Sequence, residues 1–121
     1  MRQIGLEDRM VNYAASVLKM VDNLPKGFAA NHLGKQLIRS GTAVALNYGE
    51  GQAAESRADF IHKLKIALKE LKESQICLRI LLTQNYLSEK ILMPLIRETN
   101  ELIAILITSI NTAKKNQKNS K

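Results

Sequence analysis

The chain has 121 residues, of which 45% are hydrophobic and 24% charged, the balance of one folded domain rather than a disordered segment. Six Gly, two Pro and 4% aromatics supply too few turn signals for a sandwich or barrel of short strands, and a lone cysteine excludes an internal disulfide and a thiolate zinc cluster. The formal charge is +7, but Lys114, Lys115, Lys118 and Lys121 stand in an acid-free tail, and without them 14 basic residues face 11 acidic ones.

Four helical segments are predicted in chain order. The first spans about Leu6 to Asn23, where Met10, Ala14, Val17, Leu18 and Val21 recur at steps of three and four. It stops at Asn23-Leu24-Pro25-Lys26-Gly27, because Pro25 disfavours helix at Leu24 and Gly27 permits a reversal. The second covers about Ala29 to Ala53, with Leu33, Leu37, Ile38, Val44 and Leu46 as its apolar side. Gly41, Ala45, Gly49 and Ala53 fall at intervals of four. Glycine inside a helix costs up to about 1 kcal/mol relative to alanine, so this small-residue stripe predicts a neighbouring helix at close range. The alternative is that Gly49 and Gly51 only mark the helix end.

The third segment opens on Ser56-Arg57-Ala58-Asp59, a capping box with Asp in place of the usual Glu or Gln. Phe60, Leu64, Ala67, Leu71, Ser74, Leu78 and Leu81 then alternate steps of four and three, the seam of a left-handed bundle. This helix should end near Gln84-Asn85. Ser88 can cap the fourth, which carries Leu92, Leu95, Ile96, Leu102, Ile103, Leu106, Ile110 and Ala113, with a kink or restart expected at Pro94. Beyond Ala113 the tail is polar and should fray. The expected fold is all-α: an antiparallel, up-down-up-down, left-handed four-helix bundle over residues 1–113, followed by a basic tail over residues 114–121.

Within the fourth segment, Leu102 to Ile107 is apolar on every side, whereas a bundle helix should be apolar along one stripe. Ile103, Ile105 and Ile107 are therefore candidate interface residues for self-association. The run is far shorter than the roughly 20 residues of a membrane helix. Met1 to Asp8 contains Glu7 and Asp8 and no apolar block, which leads us to expect a cytoplasmic chain with no membrane partner.

The catalytic inventory is poor. His62 follows Asp59 at i+3, half of a di-iron pattern, but His32 is preceded at that spacing by Ala29. No phosphate loop, nucleophile elbow or zinc spacing is present, so no catalytic, cofactor-binding or metal-binding residue is assigned. Cys77 lies in an apolar helical stretch and reads as an inert buried thiol. Asn47 and Glu50 share a face and read as a structural pair satisfying a helix end or a neighbouring helix, with a ligand site as the alternative. On the third helix His62, Lys65, Lys69, Lys72 and Arg79 share one side, interrupted by Ile76, with Glu70 and Glu73 close enough for local pairing. That face is either a solvated charged surface or a phosphate-binding stripe that assembly would repeat around an axis; Lys114 and Lys115 of the basic tail are further nucleic-acid-binding candidates.

The stretch Gln36-Leu37-Ile38-Arg39 through Asn47-Tyr48-Gly49-Glu50-Gly51, then Ser56-Arg57-Ala58-Asp59-Phe60 and Ile66-Ala67-Leu68-Lys69-Glu70-Leu71, resembles a bacterial family of small four-helix bundles. This is the 23S rRNA-intervening sequence protein family, to which accessory variability proteins of diversity-generating retroelements are related. Asn47, Glu50, Gly51, Ser56 and Asp59 are the residues that carry its motif here. Leu46-Asn47-Tyr48 and Lys69 depart from the commoner Asn-Ile-Ala and Ser, which points to a distinct subfamily. The resemblance implies a ring-forming bundle, a homopentamer, among relatives that mostly have no established activity and some of which bind nucleic acid. Two functions from different classes follow: weak, backbone-directed binding of RNA or DNA by a non-enzymatic oligomer, or a protein-interaction scaffold with no nucleic-acid role.

Overall fold

A computed structural model describes residues 5–119. Among them there are four helices and no strand: α1 (Leu6–Asp22), α2 (Phe28–Gln52), α3 (Arg57–Thr83) and α4 (Glu89–Asn119). Each helix touches its chain neighbours, and α1 also meets α4, closing a four-cornered bundle; the backbones of α1 and α3 do not come close, nor do those of α2 and α4. The α2–α3 seam is the most extensive and the α1–α4 seam the sparsest.

Local chemistry sets the ends. Ser56 accepts a hydrogen bond from the Asp59 amide at 3.1 Å, forming one half of the expected capping box. Ser56→Ala should lower stability by about 1 kcal/mol, measured by chemical denaturation. At the other end of α3, Asn85 takes a left-handed φ of 57°. The Tyr86 amide then reaches Leu81 O and the Asn85 amide Leu82 O, each at 3.1 Å, a Schellman closure. The fourth helix does not restart at Pro94, and it extends past Ala113 to Asn119. Ala113 is buried and the Lys and Gln residues that follow are good helix formers; Lys121 lies outside the described residues.

The seam read along α3 is the core: Leu64, Ala67, Leu71, Ser74, Leu78 and Leu81 are all buried. On the other helices the periodic reading overreached at particular positions. Leu18, Ile38 and Leu46 are exposed, Leu46 to 65%, because Leu18 and Ile38 sit one position off the row occupied by Val17 and Leu37, and Leu46 sits two positions past Val44, on the opposite side of the helix. The small-residue stripe of α2 is only partly a contact surface. A Cβ on Gly41 would lie 3.2 Å from the Val17 methyls of α1, and one on Gly34 would lie 3.0 Å from Val21 Cγ1. Gly49 would meet only Glu7 Oε1, at an ordinary 3.7 Å, and Ala53 is exposed. The close approach to α1 therefore runs through Gly34 and Gly41, beginning two turns earlier than the spacing indicates.

The core also contains a polar layer drawn from all four helices. Tyr13 OH and Thr99 Oγ1 lie 2.7 Å apart, as do Ser40 Oγ and Ser74 Oγ. Thr99 further bonds Leu95 O, and the Tyr13 hydroxyl is also within reach of Ser74. Burial pushes the Tyr13 phenol above its usual pKa, partly opposed by these bonds. Among the described residues no buried side-chain polar atom lacks a partner, so the layer meets the condition under which buried polar groups are tolerated.

Candidate functional site

The outer face of α3 is where the candidate residues gather. Lys65, Lys69, Lys72 and Arg79 are all exposed, spaced so that one side of the helix carries them. Ile76, 49% exposed, sits among them. Lys65, Lys69 and Lys72 border a shallow groove of about 860 Å³ that extends to His32 and Gln36 on α2 and has Leu33, Leu68 and Ile76 as its apolar floor.

The acids that the helical spacing offered as local partners point elsewhere. Glu70 and Glu73 both turn to Arg39 on α2: Nη1 lies 2.6 Å from Glu70 Oε2 and Nη2 3.1 Å from Glu73 Oε2. Burial raises the Glu70 carboxyl, and the neighbouring Glu73 adds to this while Arg39 opposes it; Glu73 is held below its usual value by its bonds to Glu70 and Arg39. Lys69 contributes only a minor pull on Glu73. Among the described residues, no ion pair joins Lys65, Lys69, Lys72 or Arg79 to an acid. The face carries unneutralised positive charge.

Helix α4 adds to it. Lys114 comes close enough to Lys65 that the second ammonium pushes the Lys114 amine below its usual pKa. Both are exposed, as is Lys115 one residue on. Two like charges from different helices held side by side form a place where an anion would relieve repulsion.

The motif residues have structural partners. Asn47 Nδ2 donates to Ala43 O at 2.9 Å, and Glu50 pairs with Lys63 of α3 at 2.9 Å. Gly51 is buried where α2 meets α3: a Cβ there would lie 3.0 Å from Leu64 Cδ1. This run thus locks the α2–α3 corner. Asp59 and both histidines are exposed, and among the described residues no three metal-ligating side chains cluster. Cys77 is half-buried rather than buried, and burial pushes its thiol up, away from thiolate chemistry.

The three candidate interface isoleucines of α4 do not share one face. Ile103 packs against the chain's own core, Ile105 is half-buried and Ile107 is 40% exposed. Ile103 and Ile107 share a side at i+4, whereas Ile105 projects from another. No helix is long and apolar enough to cross a membrane among the described residues.

Sequence reasoning met Arg39 only as part of the family motif and gave it no partner, and it missed the polar layer. The pairing of Arg39 with Glu70 and Glu73 is tertiary, and Ser40 and Thr99 look like surface residues until the helices are placed together.

With this geometry in view, comparison with known proteins is informative. Residues 4–108 match the family described as 23S rRNA-intervening sequence protein. The chain belongs to this family. A solved relative from Bacteroides thetaiotaomicron, described as a protein with unknown function from the S23 ribosomal protein family, is 32% identical. The alignment covers 88% of this chain and 98% of that one, with a TM-score of 0.82. No curated protein matches. The 23S rRNA-intervening sequence protein family thus accounts for the fold and for the motif at the α2–α3 corner, and its solved relative carries no assigned activity.

Proposed function

We propose that the protein is a non-enzymatic, ring-forming bundle that binds RNA or DNA weakly through the phosphate backbone. The observation that supports this best is the row of exposed Lys65, Lys69, Lys72 and Arg79 along α3, with Lys114 and Lys115 exposed on α4 and, among the described residues, no acid in ion-pair contact with the row. Such a surface neutralises phosphates without reading bases. The non-enzymatic part is supported by the candidate acid Glu50 being paired with Lys63 and by both histidines standing exposed.

The reading includes the up-down-up-down topology: as α2 advances from Arg39 to Glu50, its ion-pair partners on α3 retreat from Glu73 to Lys63. It also includes the left-handed twist that a four-three seam favours and the homopentamer implied by family resemblance. A cytoplasmic setting belongs with it, since a lone Cys77 leaves no internal disulfide to form.

The test measures retention of short RNA and DNA oligomers across a salt series. Log affinity should fall linearly with log salt, with little sequence preference. Lys65→Glu with Lys114→Glu should weaken binding at least tenfold and reduce the salt slope by about 2. Absence of binding by the native protein at low salt, or binding indifferent to salt, would overturn it. The protein-interaction reading is favoured by one observation, the apolar floor of Leu33, Leu68 and Ile76 beneath the lysines; under that reading the double substitution leaves oligomer retention unchanged.

A further inference from the structure

Among all positions three or four residues away from Lys65, Lys69, Lys72 and Arg79 on their own helix there is one acid, Glu73, which follows Lys69 at i+4. Glu73 and Lys69 are both exposed, yet they form no ion pair. Both carboxylate oxygens of Glu73 instead accept from Arg39 Nη2 across the α2–α3 seam, at 3.1 and 3.2 Å. The cause lies in order. Arg39 Nη1 is fixed by its 2.6 Å bond to the buried Glu70, so the guanidinium offers Glu73 a partner already in place. Lys69 would have to order a flexible four-carbon stem to meet the same carboxylate, and lysine placed four residues before glutamate is the poorer orientation on a helix.

We propose, resting on the nucleic-acid reading above, that Arg39 is a positioning residue for the basic face: by holding Glu73 on the α2 side it keeps Lys69 open to phosphate. Without the guanidinium the Glu73 carboxylate turns to Lys69, the lysine between Lys65 and Lys72. A phosphate must then break an ion pair and approach a carboxylate to reach that ammonium. Arg39 acts through Glu73 and needs no contact with the nucleic acid itself. Lysine cannot take its place, because one ammonium held by the buried Glu70 carboxylate has no second prong for Glu73.

The test compares salt slopes of log affinity for a short RNA oligomer at neutral pH, with circular dichroism reporting that each variant is folded. Lys69→Met in the native chain should reduce the slope by about 1. Arg39→Met should reduce it by nearly as much, and Lys69→Met added to Arg39→Met should remove little more, because the same lysine is lost both times. Glu73→Gln added to Arg39→Met should restore the native slope. Arg39→Lys, which keeps the charge and a long stem and so spares the fold, should weaken binding as well. Native binding by Arg39→Lys, additive effects of Arg39→Met and Lys69→Met, or no rescue by Glu73→Gln would each show that Arg39 supplies only charge or packing. Any of these overturns the positioning role while phosphate binding stands. A native chain that binds nothing at low salt overturns both.

Discussion

Tyr13→Ala should remove about 3–5 kcal/mol of folding stability, while Tyr13→Phe should remove about 1–2 kcal/mol. The ring is 2% exposed, so its loss leaves a cavity in the core that the helices can fill only in part. The smaller figure isolates the hydroxyl, which meets Thr99 at 2.7 Å and lies within reach of Ser74. Thr99 still has Leu95 O and Ser74 still has Ser40 in the phenylalanine variant, so no group is stranded and the cost stays modest. Against a total of roughly 5–15 kcal/mol for a domain, the alanine variant should sit near the limit of folding. Urea titration of both variants measures the difference. A Tyr13→Phe cost equal to that of Tyr13→Ala would mean that the hydroxyl layer, not the ring, carries the site.

Arg39→Met is expected to cost about 1–3 kcal/mol at neutral pH, less than for a fully buried pair because the Arg39 side chain is 52% exposed. The methionine keeps the apolar stem and deletes the one cation shared by Glu70 and Glu73. The Glu70 side chain is 9% exposed, and removing its guanidinium partner leaves a carboxylate in poor solvent beside another. In the native protein the two carboxyls contribute with opposite sign: the raised Glu70 favours the folded state at low pH, and the lowered Glu73 favours it at high pH. Without Arg39 the raised group dominates. A folded-state pKa above the unfolded one means that the folded protein binds the extra proton, so its stability is full below the ordinary carboxylate range and is lost as pH rises through the folded value. The deficit of the variant against the native chain should therefore be largest near neutrality and shrink as pH falls to about 4.5. Denaturant midpoints for both proteins across that range provide the measurement; a deficit constant with pH would show that Arg39 acts by packing alone.

The four helices were legible because a three-four repeat of apolar residues is a local signal, and on α3 it named nearly every core position from Leu64 to Leu81. Their ends were legible where a side chain or backbone needs a special partner, as at Ser56 and Asn85. The rule of local pairing failed for Glu70 and Glu73. It assigned them to lysines of their own helix, whereas Arg39 offers both carboxylates one guanidinium across the seam. The same failure, seen from the other side, leaves the lysine row of α3 without an acid in ion-pair contact among the described residues. Gly34 was missed because the stripe of four-residue steps was anchored on Gly41 and followed only forward. The all-round apolar run of α4 was legible, but which of its isoleucines the bundle itself would cover was not: Ile103 packs on the core, whereas Ile107 is left exposed.

The sparse α1–α4 seam gives the bundle an order of opening. Helix α1 is held by its glycine-lined contact with α2, by Tyr13 and by the Arg9–Glu98 and Arg9–Glu101 pairs, whereas α2, α3 and α4 share the thicker core. Amide hydrogens of α1 are then the earliest to trade with deuterated solvent, through detachment of that one rod while the other three persist.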